Sequence, residues 1–197
     1  MNAYRFKAIK TPDLTEEAKA ELLGNANKHA KLLQSSLPDK TEDLQLALDK
    51  MAFITANEKK SFIAILYNDL GKYLKDTAEP HEIESTKNAL IYLKRAIKTA
   101  PEGDPAGIFA REAWVDAHIK LNSANLNKPG NWPSLFDKDI LAELKSRLDE
   151  VISLTEKYGN KKWKAYIDAD TRLKELNNFK SITRQLRSLI KKLCCPY

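Results

Sequence analysis

Apolar residues recur every three or four positions along most of this chain, the spacing that lines one face of an α-helix. The longest such stripe passes through Trp163, Leu173, Leu176, Phe179, Ile182, Leu186 and Leu193. No run of β-branched residues favours a strand, and even Phe62-Ile63-Ala64-Ile65-Leu66 fits a buried helical face better. The pattern predicts an all-α protein of about seven helices, a helical-hairpin array or bundle with a long C-terminal helix.

Capping residues and prolines divide the chain. Residues 1–10 form a short lead in which Tyr4, Phe6 and Ala8 alternate. A first helix runs from Thr15, its cap, to Gln34, with Glu16 and Glu17 suiting the positive helix end. Pro38 and Thr41 open a second helix that reaches Thr55. Asn57 caps a third, Glu58 to Lys75, and Pro80 sits in the first turn of a fourth that ends near Pro101. Asp104-Pro105 starts a fifth, to Leu121, and residues 123–133 read as the longest loop. Ser134 begins a sixth helix, which Gly159 closes as a C-cap. The last helix, Lys161 to Leu193, contains no Pro or Gly. At 1.5 Å per residue it would be roughly 50 Å long, so it either bends or projects past the body. Residues 1–160 are thus expected to form a helical, repeat-like domain. Residues 161–197 are expected to form a basic amphipathic helix packed on that domain, its stripe completing the protein's own core rather than meeting a partner helix.

Composition agrees. A chain of 197 residues, 43% hydrophobic and 30% charged with 6 Gly, can bury one sizeable core and favours long helices. The net charge of +6 is local. Five of the 33 basic residues lie between Leu176 and Tyr197, where there is no acid, which leaves 28 basic against 27 acidic groups in the rest. That argues against a nucleic-acid binder, which usually spreads a basic face over the fold. Residues 1–7 lack the apolar region of a secretory signal, and no stretch approaches a membrane span. The two cysteines are adjacent, so no disulfide framework is expected, which agrees with a reducing, cytoplasmic compartment.

Chemistry-bearing motifs are missing. There is no Gly-rich phosphate loop, no His-Glu-x-x-His and no Cys-x-x-Cys, and no cofactor or metal is implied. Glu112 and Asp116 share a helix face that His118 largely does not, and an ion pair or a solvated face accounts for them. Trp132-Pro133-Ser134 looks like a helix start rather than a strained nucleophile elbow.

The third and fourth helices carry Tyr67-x-x-Leu70-Gly71-x-x-Leu74 followed by Ala89-x-x-x-Leu93-x-x-Ala96 and Pro101. In such a pattern the large residues fill the space between helices, and the glycine lets the next backbone approach. Over residues 64–101 this resembles a tetratricopeptide repeat, departing from it by about six extra residues around Thr77-Ala78-Glu79-Pro80-His81. Leu23-Gly24 with Ala47, Met51 and Ile54 is a fainter echo. The resemblance implies stacked helix pairs whose first helices line a groove for peptides. The matching groove positions are Asn68, Lys72 and Lys75, spaced i, i+4 and i+7, which together could grip a carboxylate or acidic peptide. Otherwise they are simply a solvated helix face.

The C-terminal segment pairs an apolar face with the cations Lys180, Arg184, Arg187, Lys191 and Lys192. A basic amphipathic helix suits an anionic membrane surface or a partner helix. Cys194 stands where a prenylation box places its cysteine, but Pro196 and Tyr197 depart from that motif. S-acylation of Cys194 and Cys195 tolerates more sequences, and stable anchoring takes two signals, such as an acyl chain plus basic charge. The tail lacks the interleaved aromatics of a nucleic-acid binder.

The first functional expectation is therefore a non-enzymatic protein-interaction module, an adaptor or scaffold with a protein or peptide partner. The second is a peripheral membrane protein anchored by the tail. A Lys- and Asn-rich, Gly-poor composition suits an AT-rich bacterial genome, and lipidation of eukaryotic type would then make it an effector acting in a host cell. A small helical enzyme is the third.

Overall fold

A computed structural model describes residues 15–36, 54–78, 83–123 and 129–194. Among these residues there are six α-helices: α1 (Glu16–Ser36), α2 (Ala56–Thr77), α3 (Ile83–Thr99), α4 (Pro105–Ser123), α5 (Lys138–Tyr158) and α6 (Lys164–Cys194). A short 3-10 segment, Pro129–Leu135, precedes α5. The protein is all-α, as its periodicity predicts. Residues 41–53 of the expected second helix and the lead at residues 1–10 lie outside the described residues, and Thr55, its expected end, caps the helix that follows.

Several helix starts follow the sequence. The Thr15 hydroxyl accepts from Ala18 N, and Asp104 Oδ1 accepts from Ala106 N at the head of α4. Two caps differ. The cap of α2 is Thr55, not Asn57: its hydroxyl accepts from Glu58 N while Glu58 reaches back to Thr55 N at 2.8 Å, a reciprocal capping box. The cap of α5 is Asp137, not Ser134, and Pro129–Leu135 winds as 3-10 because Pro133 inside it cannot donate to a helical ladder. Gly159 closes α5, as expected.

Each helix from α3 to α6 packs on the one before it, and α4 also meets α2 and α6. Helices α2 and α3 approach closely. A Cβ at Gly71 would lie 2.6 Å from Leu93 Cγ and 3.2 Å from Ala89 O, so only glycine fits, and Ala89 and Ala96 keep the facing surface low. By contrast, among the described residues nothing lies within 4 Å of a Cβ at Gly24.

The core centres on α4. Ala106, Ile108, Ala110, Ala113, Val115 and Ala117 are all buried although they point to different sides, because neighbours surround this helix. Small residues make such a central helix narrow enough to be enclosed. Helix α6 packs back on α5 and α4 through Ala165, Ala169 and Leu176. Trp132 is 1% exposed and donates from Nε1 to Glu175 Oε2 at 2.6 Å, docking the 3-10 segment onto α6.

Candidate functional site

Two places bring unusual chemistry together. The first is a charged cluster between helices, largely buried around Glu112 and Asp116 but open to solvent at Lys164, where three helices each present one polar face. Helix α2 contributes Asn68, Lys72 and Lys75, α4 contributes Glu112 and Asp116, and α6 contributes Lys164, Asp168 and Arg172. All follow helical spacing, so each set shares a face.

Lys75 Nζ lies 3.1 Å from Asp116 Oδ2 and 3.3 Å from Asp76 Oδ1. The other oxygen of Asp116 accepts from Arg172 Nη2, and Lys164 pairs with Asp168. Burial opposes ionisation of Asp116, but Lys75 and Arg172 outweigh it and hold the carboxyl below its ordinary value. Burial likewise opposes the Lys75 ammonium, and Asp116, Asp76 and Glu112 outweigh it, so Lys75 holds its proton more tightly than a free lysine. Glu112 goes the other way. Burial and the neighbouring Asp116 charge push it up to about 7, with Lys75 and Lys72 opposing only in part. Among the described residues, Glu112 Oε1, Asn68 Oδ1 and Arg172 Nε have no hydrogen-bond partner.

Asn68, Lys72 and Lys75 therefore share one helix face, as their spacing predicts, but that face meets α4 of the same chain. Asn68 is 5% exposed, and Lys72 Nζ sits 5.1 Å from the centroid of the Phe109 ring. They are not a solvated face. Lys120 strengthens the same corner, donating to Lys75 O and Ala78 O at 2.6 Å each and so satisfying carbonyls at the end of α2. His118 lies outside the cluster, its ring 4.0 Å from that of Trp114. Its pKa is lowered, by burial against the opposing Glu143 charge.

Arg172, Asp168 and Lys164 carry no sequence motif. A signal for Glu112 and Asp116 did exist: they are the two carboxylates in a helix that is otherwise apolar nearly all round, so they had to be buried and paired.

The second place is a surface groove of about 450 Å³ between the start of α5 and the middle of α6. Lys138, Leu141 and Ala142 form one wall, and Phe179, Lys180, Thr183 and Arg184 the other. Leu141 and Phe179 supply an apolar floor, while Lys138, Lys180 and Arg184 are exposed at the rim. Ile182, also on α6, is 55% exposed. A larger depression of about 740 Å³ shares Ala142 and Lys180 with the groove, but its charges are largely paired internally. There Arg111 Nε lies 2.7 Å from Glu150 Oε2, and Lys145 pairs with Asp149.

Lys180 and Arg184, two of the five tail cations, line the groove. Arg187, Lys191 and Lys192 lie on the helical backbone of α6, as does Cys194, but their side chains fall outside the described ones. Cys195 lies outside the described residues altogether. Among the described residues no helix is long and apolar enough to cross a membrane, and no group of His, Cys, Asp and Glu is placed to hold a metal ion.

Compared with known proteins, the chain matches no family model, no curated protein and no solved structure.

Proposed function

We propose that this protein is a non-enzymatic interaction module, an adaptor or scaffold whose working surface is the groove between α5 and α6. The observation that carries this reading is the groove itself: an apolar floor at the surface, flanked on both walls by cations, with no acid lining it among the described residues. Grooves between helices commonly seat the apolar face of a partner helix. The buried cluster supports the same reading from the other side. Its ion pairs lie within the chain and tie α2, α4 and α6 into a rigid frame, which a docking surface needs. The α2–α3 pair, with Gly71 against Leu93, supports a tetratricopeptide-like hairpin as the building unit of that frame.

A photo-reactive amino acid at Thr183 tests the proposal in cell extract. Discrete protein adducts that vanish when Ala142→Trp fills the groove are expected. Adducts insensitive to that substitution would sink the proposal.

A second reading is peripheral membrane association, favoured by Ile182, 55% exposed on α6, a helix that also exposes Lys180 and Arg184. A helix with exposed apolar and cationic residues suits an anionic lipid surface, and acylation of Cys194 and Cys195 would add the second anchor. Sedimentation with membranes, lost in the Cys194→Ser/Cys195→Ser variant, is its expected signature.

A further inference from the structure

We infer that the occupant of the α5–α6 groove is an acidic amphipathic helix of a partner protein. Its apolar face would rest on Leu141 and Phe179, and its carboxylates would meet Lys138, Lys180 and Arg184. This inference rests on the interaction-module reading and specifies the partner's chemistry.

The first ground is charge. Lys138 stands on one wall and Lys180 and Arg184 on the other, so the two walls repel across the groove unless an anion lies between them. Among the described residues no acidic side chain pairs with any of the three. Asp137 is engaged as the cap of α5, accepting from Asp139 N and Ile140 N. The adjoining depression makes the contrast: apart from the shared Lys180, its cations Arg111 and Lys145 are already matched by Glu150 and Asp149.

The second ground is shape. A helix with its side chains occupies roughly 500 Å³ per turn, from a diameter of about 11 Å and a pitch of 5.4 Å. A groove of about 450 Å³ therefore admits one face of a helix over a turn or two, not a whole helix. Its concavity, with cations on facing walls, fits an inserted ridge better than a flat lipid surface.

The third ground is continuity. Lys138, the first residue of α5, lines the groove with Arg184, and α6 continues to Cys194. That continuation carries Leu186, Leu189, Ile190 and Leu193 at helical spacing, three further cations and no acid.

The test uses the full chain and fluorescent synthetic helices with one leucine face and either glutamate or lysine elsewhere. Anisotropy should show the glutamate helix binding at least tenfold more tightly than the lysine helix, with affinity falling as salt rises. Lys180→Glu/Arg184→Glu, at exposed positions, should weaken the glutamate helix at least tenfold and reverse the preference. Ala142→Trp should abolish binding, with helicity by circular dichroism unchanged in both variants. If both helices bind equally, or the charge reversal changes nothing while Ala142→Trp still blocks, the acidic partner is wrong and the groove reading survives. If Ala142→Trp has no effect, or neither helix binds, the groove reading falls too. Capture by phosphatidylserine vesicles without peptide binding would replace both with the membrane reading.

Discussion

Lys75 on α2 holds one oxygen of Asp116 on α4 at 3.1 Å, joining helices 41 positions apart in sequence. Arg172 of α6 takes the other oxygen, so one carboxylate anchors two cations from two different helices.

That asymmetry sets the order of mutational costs. Removing one partner of a buried ion pair is expensive because the other charge stays behind unpaired. Asp116→Ala leaves Arg172 without its carboxylate and Lys75 with Asp76 alone, and should lose about 4 kcal/mol in urea unfolding. Lys75→Ala leaves Arg172 on the carboxylate and should lose about half as much. Equal losses would show that the two pairs do not share Asp116 energetically.

Glu112 makes stability depend on pH in the opposite sense from an ordinary paired carboxylate. Its folded pKa of about 7 lies above the unfolded value of 4.5. Between those values the folded chain holds a proton that the unfolded chain releases, so stability falls as pH rises through that window. The loss should be up to about 3 kcal/mol, and Glu112→Gln should remove it. Asp116 is shifted downward, so its contribution is lost only as pH falls below its ordinary range. His118, whose pKa is lowered, titrates in both proteins and cancels from the difference. Urea midpoints of the two proteins from pH 4 to 8 check this, and parallel curves would contradict it.

Two glycines should respond in opposite directions to alanine. At Gly71 the new methyl would collide with Leu93 and crowd Ala89 O, costing about 1–3 kcal/mol. At Gly24, inside α1, nothing described lies near, and alanine should stabilise by up to about 1 kcal/mol through helix propensity. Thermal unfolding of the pair distinguishes close approach from mere helix interior.

The α2 cap offers a finer comparison. Thr55→Ala removes the side-chain half of the capping box, leaving the backbone N–H to Glu58, and should cost about 1 kcal/mol, whereas Asn57→Ala, inside the first turn, should be nearly neutral. The reverse order would restore Asn57 as the cap.

Much of the fold was legible because helix ends are local events. Asp104-Pro105, Thr15 and Gly159 act within a few residues of themselves, and each stands where its chemistry predicts. Thr55 lost to Asn57 in the sequence reading because both are good capping residues two positions apart, and only the reciprocal Glu58 contact separates them. The 3-10 segment read as loop and helix start because what holds it, Trp132 on Glu175, comes from 43 residues away.

The candidate sites divide along the same line. The cations of α6 were visible as a composition, but the groove they rim exists only because Lys138, Leu141 and Ala142 of α5 stand opposite. Asn68, Lys72 and Lys75 were visible as one face, yet whether that face met water, a peptide or the protein's own acids depended on where α4 lay. By itself the amino-acid order determined which segments are helical and which positions share a face, because hydrogen bonding and side-chain spacing within a helix are local. Only the tertiary structure decided which faces meet, because burial, ion pairing and the shift of Glu112 arise from groups brought together from distant parts of the chain.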